Sequence, residues 1–133
     1  MQIDIDVPDG ISGAHKIETF TVSEEDARLE SMRSLYSGSH RFISPGTYKR
    51  LLRGSTVVMS NTPAEIRDHI YFINKATGDV LINGLGLGMC VAAILKKPEI
   101  KSVTIIELVP DVISLVGPTY TKDGRVTISY AEK

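Results

Sequence analysis

Three glycines at alternate positions, Gly84, Gly86 and Gly88, follow the apolar run "DVLIN" (79–83) and precede a helix-like stretch from about Met89 to Lys97. A glycine-rich turn between a strand and a helix brings backbone amides and a helix N-terminus against a ligand that side chains would push away, which suits a nucleotide-like ligand. Glu107 lies near the end of the next strand-like run, "SVTIIEL", 107 − 84 = 23 residues after the first glycine. An acid at that distance can accept both hydroxyls of a ribose. A loop built only for a tight turn is the competing explanation, but alternate glycines followed by such an acid are hard to obtain from packing alone.

The spacing also discriminates among nucleotides. The dinucleotide fingerprint needs its third glycine at residue 89, which is Met; the glycine falls at 88 instead, and this weakens a nicotinamide reading. No Gly-Lys-Ser or Gly-Lys-Thr follows, so a Walker A loop is excluded. Asn83, at the strand end, either polarises a ligand carboxylate or simply finishes the strand. Cys90 fits a small buried hydrophobe better than a nucleophile. His15, His40 and His69 have no partner at ligand spacing, although His69 shares a helix with Asp68. The stretch "HRFISPGTYKRLLR" interleaves Arg41, Lys49, Arg50 and Arg53 with Phe42 and Tyr48; a solvated hairpin face explains it better than a phosphate guide. Asp111 follows Pro110 at a helix start, where capping and dipole compensation account for it.

The elements that must position these residues can be read from pattern. "QIDIDV" (2–7) alternates as a short strand does, closed by Pro8, Asp9 and Gly10. Ser23 caps a helix running to about Tyr36, with acids at 24–26 behind it. "TYKRLLRGSTVVMS" reads as a hairpin around Arg53, Gly54 and Ser55. Thr62, Pro63 and Glu65 form a capping box for a helix whose Ile66, Ile70 and Ile73 share one face and which Gly78 stops. This helix is expected to pack on the segment beyond Gly78. From Asp79 the order is strand, glycine loop, helix, strand, helix (about 110–116), strand ("RVTISY"). Such alternation implies right-handed crossovers and a parallel sheet.

Taken together, "VLINGLGLGM" and "VTIIELVPDVISLV" resemble the first two motifs of class I S-adenosylmethionine-dependent methyltransferases, with closest likeness to spermidine synthases and small methyltransferase-like proteins of phage genomes. The hairpin and helix of "TVVMSNTPAEIRDHI" resemble the lead-in to the cofactor domain in those families, so the likeness spans roughly residues 47–133. It implies an α/β fold: a partial, three-layered Rossmann-like parallel sheet over 61–133 with a small N-terminal α+β extension over 1–60. It implies S-adenosylmethionine as cofactor. Asn83, Gly84, Leu85, Gly86 and Gly88 would lie along the methionine moiety, Glu107 would bind the ribose hydroxyls, and Glu132 would face the adenine amino group. Two departures stand out: many of these methyltransferases have an acid where Ile82 stands, and spermidine synthases often have Asp where Val109 stands. The family's acceptor-side residues come after its fourth strand, so this stretch carries half a cofactor site and no recognisable catalytic half. Two rivals are an aminopropyltransferase-like enzyme and a non-catalytic binding or inhibitor module on a truncated cofactor fold.

Bulk properties bound these expectations. With 133 residues, 42% of them hydrophobic, the chain can bury one core. A formal net charge of −1 provides no global field for a polyanion, which argues against nucleic acid. The single cysteine excludes an intrachain disulfide and a multi-Cys zinc site. No apolar run reaches ~18 residues and no signal-peptide pattern opens the chain, so the expectation is a cytoplasmic protein off the membrane. In the family's strand order "DVLIN" lies mid-sheet. Val80, Leu81 and Ile82 read as a strand buried on both faces, so an edge left open beside it is expected to pair with a partner chain, most simply a second copy.

Overall fold

A computed structural model of the chain describes residues 2–38 and 43–132. Its strands fall into two sheets. Strands β1 (Gly10–Ser12), β2 (His15–Val22), β3 (Gly46–Arg53) and β4 (Thr56–Ser60) form an antiparallel sheet in that order. Strands β5 (Gly78–Asn83), β6 (Ile100–Glu107) and β7 (Val126–Tyr130) form a parallel sheet, again in chain order. Four helices complete the fold: α1 (Glu24–Ser37), α2 (Pro63–Lys75), α3 (Met89–Ile94) and α4 (Pro110–Thr121). The chain is thus a mixed α/β protein with parallel strands joined through helices, as the sequence pattern requires.

The antiparallel sheet is set by two tight turns. Gly13 and Gly54 both have positive φ (57° and 60°), which glycine adopts without a Cβ penalty. The amide of Gly54 donates to the Ala14 carbonyl at 2.8 Å, joining the two turns. Ile17 and Leu51 sit directly opposite each other and are both fully buried. On the other face Arg50 pairs with Glu18 and lies over the Phe20 ring. The Arg50 guanidinium, then the Lys16 ammonium, lowers the Glu18 carboxyl below its ordinary range. Lys49 pairs with Asp9 at 3.0 Å. The basic stretch is therefore partly neutralised within the hairpin, while His40, Arg41 and Phe42 lie outside the described residues.

Residues 2–7 do not form the expected strand. Their alternation is nevertheless obeyed by burial: Ile3, Ile5 and Val7 enter the core while Gln2, Asp4 and Asp6 stay exposed. Alternation specifies which side chains are buried, and among the described residues no strand pairs with this backbone; the Asn61 amide holds the Ile3 carbonyl at 2.9 Å. The turn residue Gly10 instead opens β1. These early residues share one apolar cluster with Ile17, Leu51, Ile66, Val103 and Val116, so both sheets are built on a common core.

Helix starts and stops agree with the sequence pattern, with instructive differences. Ser23 caps α1, accepting from the Asp26 amide at 3.1 Å. Thr62 is the N-cap of α2 but makes no side-chain cap bond. Its hydroxyl pairs with that of Ser60 at 2.9 Å, both being buried, and this bond replaces the expected capping box. Helix α2 ends at Lys75, before Gly78, which starts β5. Its terminal carbonyls are held by the Lys97 ammonium, which takes Ile73 at 2.8 Å and Asn74 at 3.2 Å and also reaches Ala76. A cation at a helix C-terminus is favoured both by these bonds and by the dipole. Helix α2 packs on α3, as anticipated.

The parallel sheet departs from expectation in its covering. Val80, Val103 and Val126 line up across the strands on the buried face. Leu81, Thr104 and Thr127 line up on the other. Val80 is 9% exposed but Leu81 is 60% exposed, so β5 is not buried on both faces. Helix α4 lies on the Val80 face, where Gly117 adjoins Ile128, while Leu81 and Thr127 on the other face are exposed. Helix α4 extends past the expected end at Val116 and through Pro118, because Val116 and Tyr120 are both core residues.

Before β7, Arg125 grips Asp123 through two nitrogens at 3.0 and 2.8 Å and donates to the Leu95 carbonyl at 2.8 Å and the Ile100 carbonyl at 3.3 Å. The side-chain bond from Arg125 lowers the Asp123 carboxyl from 3.8 to about 2. A carboxyl depressed on folding stabilises above its unfolded value and loses that contribution as pH falls through the folded one. Wild type should therefore melt above Asp123→Asn near neutral pH, with the gap closing between about pH 4 and pH 2. Thermal scans across that range check this; a gap independent of pH would show that the ion pair contributes nothing.

Candidate functional site

The glycine loop spans residues 84–88, between β5 and α3, and its three glycines serve different ends. All have positive φ, at 93°, 54° and 75° for Gly84, Gly86 and Gly88, a region costly for other residues. A methyl added at Gly88 would lie 2.1 Å from the Tyr120 ring, and one at Gly86 would lie 2.5 Å from the Met59 sulfur. At Gly84 it would meet no atom within 4 Å. Protein packing therefore accounts for the second and third glycines, and open space adjoins the first.

The loop's shape is fixed from three directions. The Tyr120 hydroxyl donates to the Leu87 carbonyl at 3.0 Å. Burial first, and the Asp6 charge second, raise the Tyr120 phenol well above its usual value, so it remains a neutral donor. The Leu87 amide points at the Met59 sulfur, 3.4 Å away. The Gly88 amide closes a turn onto the Leu85 carbonyl at 2.8 Å, and Leu85 and Leu87 are buried beneath the loop. Met59 and Tyr120 come from distant elements, β4 and α4, and no motif in the sequence marks them.

Glu107 is the third constraint. It is 7% exposed, at the end of β6. One carboxylate oxygen accepts the Leu85 amide at 2.8 Å; the other accepts the amides of Leu108 and Val109 at 2.9 and 3.0 Å. The acid expected at the ribose thus also joins the loop after β5 to the loop after β6. An ionised carboxylate offers about four acceptor positions, so about one is left for a ligand.

Around this frame the predicted residues separate. Asn83, Gly84, Leu85 and Gly86 line a cleft of about 390 Å³ at the carboxyl end of β5, walled also by Met59, Phe72 and Met89. Gly88 and Glu107 are not part of that lining. Glu132 is exposed just beyond β7. Leu108, 48% exposed, follows the last residue of β6, and Tyr130, 52% exposed, ends β7; sequence pattern singles out neither. His69 and Cys90 both line the cleft, and burial raises the Cys90 thiol above its ordinary value, which keeps it protonated and unreactive. His15 is remote, 3.7 Å from Asp111 through its Nδ1. Ser12 donates to the same carboxylate at 2.8 Å, so Asp111 fastens the β1–β2 turn to α4.

Two substitutions separate these roles without any ligand. Glu107→Gln places an N–H where a backbone N–H already points, and should lower unfolding free energy by about 1–3 kcal/mol. Gly88→Ala combines a left-handed penalty with a clash at Tyr120 and should cost about 2–5 kcal/mol. Urea titrations measure both; stability unchanged by Glu107→Gln would mean the carboxylate does not hold the loops. Comparison with family models and with curated proteins finds no match for the chain.

Proposed function

We propose that the chain is an S-adenosylmethionine-binding, methyltransferase-like protein of partial Rossmann-like form. The observation that carries this reading is Gly84: its backbone, at φ 93°, adjoins open space at the carboxyl end of the first parallel strand, where ligands of parallel α/β sheets bind. The residues fit the group. Asn83 and the Gly84–Gly86 backbone would hold the methionine part, Glu107 would offer its remaining acceptor position to the ribose, and Leu108, Tyr130 and Glu132 would meet the base. Bound there, the cofactor supplies an electrophilic sulfonium methyl; the protein contributes position and the exclusion of water.

The cleft also weighs against the aminopropyltransferase alternative. Its lining contains no aspartate or glutamate, and a polycationic amine, which unlike the methionine part brings no carboxylate of its own, would lose hydration there without a compensating charge. A second reading, a binding module completed by another chain, draws support from β5, which ends the sheet with Leu81 exposed. A second copy pairing along that edge would satisfy its free backbone groups. The described residues contain no helix long and apolar enough to cross a membrane.

Calorimetry tests the ligand. S-adenosylmethionine or its demethylated product should bind in preference to NAD, and Gly84→Ala should abolish that binding while costing only about 1–2 kcal/mol of stability. Binding of NAD alone would overturn the proposal. For the partner, sedimentation at micromolar concentration should show a dimer; a clean monomer with β5 amides protected from exchange would exclude pairing at this edge.

A further inference from the structure

The cleft beside the glycine loop is uncharged. Of its lining residues none is Asp, Glu, Lys or Arg, and Met59, Phe72, Leu81, Ile82, Met89 and Val91 make the lining mainly apolar. Beyond Asn83 and the loop backbone, where the cofactor's methionine part would lie, a charged group would lose its hydration without a side-chain counter-charge. An aromatic ligand, by contrast, meets a phenyl ring and thioether sulfurs, both of which favour aromatic faces and edges. A volume of about 390 Å³ falls within the range of small-molecule sites, about 300–1,000 Å³.

His69 supplies direction within this apolar space. Its Nδ1 lies 2.8 Å from the Glu65 carbonyl oxygen one helical turn back. A carbonyl only accepts, so Nδ1 carries the proton, and in the neutral ring Nε2 is left with a lone pair. Nε2 has no hydrogen-bond partner among the described residues. The other side chains of the lining offer less: the Cys90 thiol is a weak donor and acceptor, while Asn83 sits at the strand end where the loop begins. The cleft therefore combines apolar walls with a tautomerically fixed acceptor on His69, besides the amide of Asn83.

We propose that this cleft is a subsite for an uncharged, largely aromatic ligand that donates one O–H or N–H hydrogen bond to Nε2 of His69. That the ligand is the methyl acceptor rests on the methyltransferase-like reading; the binding chemistry of the cleft does not. Its hydrogen-bond donor would face the imidazole lone pair, and its ring would lie among Phe72, Met59 and Met89.

Fluorine NMR with 4-fluorophenol and 4-fluoroanisole tests the subsite, since the two probes differ in their hydrogen-bond donor. Wild type should bind the phenol more tightly than the ether. His69→Phe, which keeps a ring but removes the acceptor, should weaken phenol binding roughly three- to tenfold, the scale of one hydrogen bond, and leave the ether unchanged. His69→Gln, which restores an acceptor oxygen, should recover part of the loss, and melting curves would confirm that both variants fold. Phenol binding that is absent, that is indifferent to His69, or that is exceeded by 4-fluorobenzylammonium would overturn the proposal. Calorimetry with the demethylated cofactor, run in parallel, should be insensitive to His69→Phe. If that cofactor fails to bind while the phenol pattern holds, the subsite stands and the methyltransferase-like reading falls; the converse result removes the subsite alone.

Discussion

One buried carboxylate, that of Glu107, determines how the loops at the carboxyl end of the parallel sheet are arranged. Its two oxygens hold three backbone amides, one from the loop after β5 and two from the loop after β6. Hydrogen bonds to an ionised group contribute about 1.5–3 kcal/mol each, and leaving such a charge buried without them would be costly. The loops on adjacent strands are consequently fixed relative to each other, and Gly84 inherits its position from that junction. A ligand of the proposed kind would meet a backbone already arranged, with little ordering left to do on binding.

Packing within the protein claims two of the glycines around this junction and leaves the third free. Gly86 and Gly88 are required by Met59 and Tyr120, which approach too closely for a Cβ, whereas Gly84 adjoins free space. Their alternate spacing is legible in the sequence, and so are the strand, the helix behind it and the distance to Glu107. The reason for the second and third glycines is not legible, because Met59 and Tyr120 reach the loop from 27 and 32 positions away (86 − 59 and 120 − 88), and local pattern carries no information about packing at that range.

The same distinction between local and distant causes explains the fold-level differences. Ser23, with three acids behind it, identifies α1 because capping is decided within four residues. Thr62 meets the same criterion, yet its hydroxyl goes to Ser60, a competitor two residues away that a cap template ignores. Val80–Leu81–Ile82 has the composition of a strand covered on both faces, but apolar character states a preference and cannot supply the covering element. The pair β1 and β2 gives no comparable signal: "HKIETFTV" is buried only at Ile17 and Val22, too sparse a pattern to register before its neighbours are known. Where the helix after Glu107 ends is likewise a matter of context, since Gly117 and Pro118 read as a stop and the burial of Tyr120 carries the turn beyond them.

The N-terminal segment has a consequence for how the molecule opens. Ile3, Ile5 and Val7 are held in the core by side-chain burial, without a sheet ladder along their backbone. A segment without ladder bonds could be expected to fray independently, at the low end of local unfolding energies. Three buried aliphatic side chains are each worth about 1.5–3 kcal/mol, so together they oppose release by about 5–9 kcal/mol, against which six residues regain about 1–2 kcal/mol of backbone entropy each. The attachment of the strap is therefore a near balance that rests on those three side chains. Truncating any one of them tips it towards release, and a detached strap would uncover the apolar surface that Ile3, Ile5 and Val7 close.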